Sequence, residues 1–242
     1  VAIYAYQPAA LSVDLSELQQ IRDYMRARGP DGSGEWISSD GRVGLGHRRL
    51  SIIDLDPRAA QPMSWNDGAL RVVFNGEIYN YRALRERLEQ RGMKFRTESD
   101  TEVILAGFEA IGTDWFSELR GMYAFALHDG RSDRLYLVRD PYGIKPLYYA
   151  DDGWTIRAAS QVRALLAGGR VSHQREAAGL AGFLMFGSVP EPFTCYQSIR
   201  AVPAGTWIEI DSYGIRRQVH HADFSETLAA ADSGSEHAPV SE

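Results

Sequence analysis

The chain has a single cysteine, Cys195, in 242 residues, which excludes an internal disulfide and any metal knuckle built from several thiolates. That scarcity agrees with a reducing compartment. Basic clusters are missing too: 26 Lys and Arg stand against 32 Asp and Glu, for a formal net charge of −6. The adjacent Arg48 and Arg49 are too few to follow a phosphate backbone, so no nucleic-acid partner is expected. No segment approaches the roughly 20 consecutive apolar residues that span a bilayer, and no charged segment followed by an apolar one opens the chain as a secretory leader would. The expectation is a cytoplasmic protein with no membrane partner. No metal is expected either, because His47 has no ligand-type partner at a useful spacing and reads as structural.

What is present fits a globular domain. With 44 % hydrophobic and 24 % charged residues, the chain can bury one sizeable core. Val1–Tyr6 is apolar almost throughout, as a strand buried on both faces requires. Asp14 and Glu17 have capping-box spacing ahead of Leu15, Leu18, Ile21 and Met25, which recur at helical intervals until Arg28-Gly29-Pro30. Strand-like runs follow at Val43–Ile53 and Leu70–Phe74, separated by a loop through Gln61-Pro62 and Asn66-Asp67-Gly68 that is long enough to act as a flap. Tyr81, Leu84 and Leu88 mark a second helix. Val103, Ile104, Phe108 and Ile111 mark a third, capped by Ser99 with Glu102 three residues on.

From Gly121 the pattern changes to short strands and turns, MYAFALHD, RLYLVRD, PLYYA and WTIRAAS, which read as one antiparallel meander. Helices over 161–166 and 175–186 and strands over 206–210 and 215–220 complete the ordered part. The last stretch is small, polar and acidic, too poor in apolar residues to offset its ordering entropy. The predicted division is a domain over 1–221 and a disordered tail or linker over 222–242.

Five segments read together carry a resemblance: RGPDGSG at 28–34, GHRRLSIID at 46–54, NGEIYNYRALR at 75–85, SDTEVILAGFEAIG at 99–112, and LRGMYAFALHDGRSDRLYLVRDPYGIKPLYY at 119–149. In order and spacing, from the first residue to about residue 210, they resemble the class II glutamine amidotransferase domain of asparagine synthetases. HRRLSIID and NGEIYN point to that branch rather than to the sugar-phosphate or phosphoribosyl amidotransferases. The resemblance implies an α+β, four-layer α/β/β/α sandwich of the N-terminal-nucleophile hydrolase type. It also implies hydrolysis of L-glutamine to glutamate and ammonia for transfer to a carboxylate acceptor.

Such hydrolysis needs a nucleophile, a base, an oxyanion site and a clamp on the amino-acid end. In the family the nucleophile is an N-terminal Cys whose own α-amine serves as base. That Cys, followed by a small and an apolar residue, would lie just upstream of Val1, and the chain as written is not expected to turn over. Cys195 reads as a packing cysteine. With the other motifs, Asn75 and Gly76 are the expected oxyanion site, a side-chain amide and a backbone N–H aimed at one oxygen; as bare sequence, Asn-Gly reads first as a hairpin turn.

Arg49 is the expected clamp on the α-carboxylate, since a guanidinium grips it with two parallel hydrogen bonds. Arg48 should face the opposite way, by the period-two rule of a strand. The resemblance implies that Glu77 and Asp100 converge on the α-ammonium. Their ordinary alternatives are first-turn acids stabilising helix dipoles. Ala27 stands where the family commonly carries His. Arg139 and Lys145 fit packing or an inter-domain contact, and Tyr142, Tyr148, Tyr149 and Trp154 fit core and sheet surface.

The pyrophosphate-cradling SGG-x-D-S loop of a synthetase domain does not occur. ATP and Mg are therefore expected only for such a domain, with no cofactor in this one. The implied partners are L-glutamine and a synthetase domain or subunit, and a homodimer is compatible with the sequence. The alternative function is a non-catalytic glutamine-binding module or scaffold.

Overall fold

The computed structural model describes residues 1–50 and 57–222. In chain order the elements are β1 (Ala2–Tyr4), α1 (Leu15–Tyr24), β2 (Gly32–Ile37), β3 (Val43–Arg49), β4 (Met63–Trp65), β5 (Leu70–Ile78), α2 (Tyr81–Gln90), α3 (Asp100–Ile111), β6 (Gly121–Asp129) and β7 (Arg134–Arg139). They continue with β8 (Tyr148–Asp151), β9 (Ile156–Ala159), α4 (Val162–Ala167), α5 (Ala177–Phe186), β10 (Ile199–Ala201), β11 (Thr206–Asp211) and β12 (Gly214–His220). Two six-stranded sheets result, ordered β10-β8-β9-β1-β3-β2 and β12-β11-β7-β6-β5-β4.

Three apolar clusters fill the three interfaces of a four-layer α/β/β/α sandwich. Tyr4, Val43 and Leu45 of the first sheet meet Val73, Ala124, Leu137 and Ile208 of the second. Outside the first sheet, Ile3 packs with Leu18 and Ile21 of α1 and Leu165 of α4. Outside the second, Val72, Phe74 and Phe125 pack with Leu84 and Leu88 of α2 and Val103 and Ile104 of α3. Alternate residues of a strand point to opposite faces, so Ile3 and Tyr4 serve different layers. An unbroken apolar run such as β1 is what a strand covered on both faces needs.

Several local expectations change. The 121–159 segment is not one meander: β6 and β7 pair in the second sheet, whereas β8 and β9 pair in the first. Asp140, fully buried, makes the crossing by accepting from the backbone N–H of Tyr142 (3.0 Å), Ile144 (3.0 Å), Lys145 (2.9 Å) and Tyr123 (3.3 Å). Turn chemistry marks where strands end but not which sheet they join. β4 also forms inside the segment read as a loop, and β2 in a stretch given no element, because each gains its ladder from a neighbouring strand. Of the aromatics expected in core and sheet surface, Tyr142 and Trp154 are exposed and lie outside the strands.

The two capping boxes are half made. Asp14 accepts from Ser16 N, but Glu17 is buried against Arg157; Ser99 accepts from Thr101 N, but Glu102 turns to the Arg96 and Thr97 amides. A buried guanidinium and two loop N–H groups outcompete the cap. Of the predicted 43–53 strand, β3 accounts for the part through Arg49; residues 51–53 lie outside the described residues, as does the predicted tail from residue 223.

Candidate active site

The expected site residues arrive from three layers. β3 supplies Arg49 at its end, opposite Gly32 of β2, with the Arg49 carbonyl accepting from Asp31 N at 3.0 Å. Arg48 turns its guanidinium to the other face, where Nε donates to the Gly29 carbonyl (3.0 Å) and the group lies 3.6 Å from Asp23, although the residue also borders the same cavity as Arg49. A Cβ on Gly29 would sit 2.5 Å from the Arg48 carbonyl carbon, so only glycine lets that loop lie against β3.

Asn75, Gly76 and Glu77 lie within β5, which continues past Phe74 to Ile78 and pairs them with Ala124, Tyr123 and Met122 of β6. The Asn-Gly pair is therefore no hairpin turn. A Cβ on Gly76 would meet the Met122 carbonyl oxygen at 2.2 Å, a close approach that only glycine permits. Asp100 opens α3, only 4 % exposed, and its Oδ2 accepts from Ile78 N at 2.9 Å, tying the helix to the end of β5.

Arg49, Asn75, Gly76, Glu77 and Asp100 all line one cavity of about 390 Å³, and Val1 lies in its wall. That volume is the size of a small-molecule site. Burial, and to a lesser extent the nearby Glu77 carboxylate, raise the Asp100 carboxyl above its ordinary range, opposed by the Ile78 N–H. The cavity lining thus includes two carboxyl-bearing residues, Glu77 and Asp100, and Arg49 from the other sheet. The arrangement suits a ligand carrying an ammonium and a carboxylate close together, with polar donors at the Asn75-Gly76 end.

The cavity also includes residues not assigned to it from sequence. His47 lines it, with Nε2 3.1 Å from the Phe74 carbonyl; burial pushes the imidazole down to about 4, so the ring is neutral near pH 7 and Nε2–H donates. Its Nδ1 is buried without a hydrogen-bond partner among the described residues. The signal for His47 is legible, since a residue two positions before Arg49 on a strand shares its face. Gln61 enters from the loop before β4, its Oε1 accepting from Phe74 N at 2.6 Å. Lys145 is placed in the wall by the Asp140 crossing, which nothing local in sequence announces.

Arg139 is 5 % exposed and packs as expected, donating to the carbonyls of Lys145 (2.9 Å), Gly143 (2.8 Å) and Val202 (2.6 Å) and to Glu191 (2.7 Å). Cys195 is partly buried and outside the cavity lining. Among the described residues no group of His, Cys, Asp or Glu could hold a metal ion, and no helix is long and apolar enough to cross a membrane.

The chain is 40 % identical over 212 residues to asparagine synthetase [glutamine-hydrolyzing] 1 of Bacillus subtilis, covering 87 % of the chain and 33 % of that protein. Asparagine synthetase [glutamine-hydrolyzing] 3 of the same organism is 30 % identical over 223 residues, 88 % of the chain and 36 % of the relative. The chain thus spans about a third of the length of these relatives. The solved glutamine phosphoribosylpyrophosphate amidotransferase of B. subtilis superposes with a TM-score of 0.66 at 19 % identity, over 91 % of this chain and 48 % of that one, a likeness of fold. The glutamine amidotransferase domain profile matches residues 3–221, and the chain belongs to that family, in the class II branch whose relatives include asparagine synthetases.

Proposed function

We propose that this chain is the glutaminase part of an asparagine-synthetase-type amidotransferase, binding L-glutamine in the cavity between the sheets and releasing glutamate and ammonia. The observation that carries the reading is the convergence of Arg49, Asn75, Gly76, Glu77 and Asp100 on that one cavity. Arg49 holds the α-carboxylate through paired hydrogen bonds. Asp100 and Glu77 hold the α-ammonium, whose charge offsets the cost of burying Asp100. The Asn75 amide and the Gly76 N–H face the oxygen that becomes negative when the side-chain amide is attacked.

The nucleophile is assigned to the segment before Val1. β1 and β3 run antiparallel with Ala2 opposite Leu45, and the Val1 nitrogen donates to the Gly46 carbonyl at 2.8 Å. Continued backwards in that register, the third residue ahead of Val1 falls opposite Arg49, at the cavity. A cysteine there would attack the amide carbon of glutamine, ammonia would leave with a proton carried by the cysteine's own amine, and water would then cleave the thioester to glutamate. ATP and Mg belong to the synthetase part of such a protein, together with the acceptor carboxylate, and this domain uses no cofactor.

The test pairs L-glutamine calorimetry on this chain with glutaminase assays after Met-Cys-Gly and one apolar residue are placed ahead of Val1. Binding to both forms with turnover only in the extended one is expected. Absence of binding to either form would sink the reading, and binding without turnover in the extended form would replace it with a glutamine-binding module.

A further inference from the structure

α5 is built inside out. Its sequence, AAGLAGFLMF, carries no charge, and its two buried residues are Gly179 and Gly182. These glycines sit against the loop that follows: a Cβ on Gly179 would meet the Thr194 carbonyl oxygen at 2.0 Å, and one on Gly182 the Pro190 ring at 2.2 Å. The large side chains point the other way. Leu184 is 83 % exposed, Met185 74 %, Phe186 70 % and Phe183 52 %, with Leu180 at 38 % and Phe193 at 36 % beside them.

At about 200 Å² for a large apolar side chain, these residues leave on the order of 700 Å² of apolar surface open. That exceeds the few hundred Å² common in an isolated monomer and approaches the roughly 800 Å² that each partner contributes to a stable interface. Each helix-interior glycine also costs about 1 kcal/mol relative to alanine, offset only by the close seat on the 190–195 loop.

The shape of the patch selects the occupant. Phe183 to Phe186 are four successive residues, and at about 100° per residue they span roughly 300° of the helix. A flat surface covers one side of such a helix end, whereas an apolar groove covers all of it. Two cavities among the described residues present charged walls, Arg49 and Asp100 in one and Glu17 and Arg157 in the other, so neither offers a matching seat on a second copy.

The path of the chain points to the same side. His221 Nε2 lies 3.0 Å from the Arg139 carbonyl, the Arg139 guanidinium reaches Glu191 at 2.7 Å, and neighbouring Pro190 packs on Gly182 of α5. Arg139 thus ties the last described residues to the loop that seats α5. We infer that α5 is a docking element inserted into an uncharged, apolar groove on the synthetase portion that the longer relatives carry, an inference that rests on the function proposed above.

The test places this chain in a full-length polypeptide, in exchange for the matched 212 residues of B. subtilis asparagine synthetase 1, and compares amide hydrogen exchange with the chain alone. Residues 180–187 should exchange at least tenfold more slowly in the full polypeptide, with the β12 segment 214–220 unchanged. Leu184→Glu with Phe186→Glu should restore the fast rate there, while leaving the melting temperature of the isolated chain within about 2 °C. Equal exchange of 180–187 in both contexts overturns the inference. So does sedimentation of the isolated chain as a dimer that the double substitution dissociates, since the occupant is then a second copy. L-glutamine calorimetry on the same samples separates the two readings: loss of glutamine binding removes the functional proposal, whereas slow exchange at α5 reports on docking alone.

Discussion

Replacing Asp100 with Asn separates a ligand carboxylate from a helix-opening one. Asp100 is 4 % exposed and accepts a hydrogen bond from Ile78 N, which an Asn side-chain carbonyl can also accept. Burial raises its folded-state pKa above the ordinary 3.8. The contribution to stability is therefore full below the unfolded pKa and is lost as pH rises through the folded pKa, at about 1.4 kcal/mol per unit of difference. At pH 8 the wild-type domain carries an ionised, buried carboxylate that the Asn variant lacks, so Asp100→Asn should melt at or above the wild-type temperature.

Glutamine binding should move in the opposite direction. An ammonium on Asp100 favours the ionised form, so binding releases a proton and wild-type affinity rises with pH between the lower pKa of the complex and the raised pKa of the free folded protein. Loss of a hydrogen bond to a charged partner costs about 1.5–3 kcal/mol, or roughly 10- to 150-fold in Kd, and the variant's affinity should be flat over the same window. Calorimetry from pH 4 to 8 alongside thermal melts measures both effects. A variant that loses more than about 1 kcal/mol of stability at pH 8 while binding glutamine unchanged would refute the reasoning and leave Asp100 as a first-turn helix acid.

Arg49→Lys should weaken glutamine at least tenfold in calorimetry, because an ammonium cannot supply two parallel hydrogen bonds; Arg48→Lys, on the opposite face against Gly29 and Asp23, should leave affinity within twofold. Gly107→Ala should lower stability by about 1–3 kcal/mol in a thermal melt, since its Cβ would lie 1.7 Å from Trp115 Cε2; an unchanged melting temperature would contradict that packing. The His47 pKa is pushed by burial from 6.5 to about 4. Stability should therefore fall as the pH drops from about 6.5 toward 4, by on the order of 3 kcal/mol, and His47→Gln should flatten that slope in urea titrations across the range.

The family resemblance singles out the candidate site, whereas local spacing makes legible only the backbone that carries it. Arg48 and Arg49 occupy opposite faces because a strand alternates, and Ser99 caps α3 because a hydroxyl at that position meets a free N–H. Asn75-Gly76 shows where local reading stops. The dipeptide favours a hairpin turn, yet β5 runs straight through it because β6 supplies a partner for every residue from Leu70 to Ile78. Glu17 is similar: helix-start chemistry gives it a capping role, and a guanidinium 140 residues away claims it instead.

The sequence by itself determined the helices α1 to α3 and the strand character of β1, β3 and β5. Each depends on periodicity or on neighbours within one turn, where local sterics and side-chain spacing suffice. The residues proposed to hold an amino acid come instead from resemblance to a family. Tertiary structure alone decided that β8 and β9 leave β6 and β7 for the other sheet, that Lys145 and Gln61 enter the cavity, and that α5 turns its glycines inward and its Leu, Met and Phe side chains outward. Those outcomes depend on which distant surface each element meets, and burial against that surface outweighs the few tenths of a kcal/mol by which local preference distinguishes one arrangement from another.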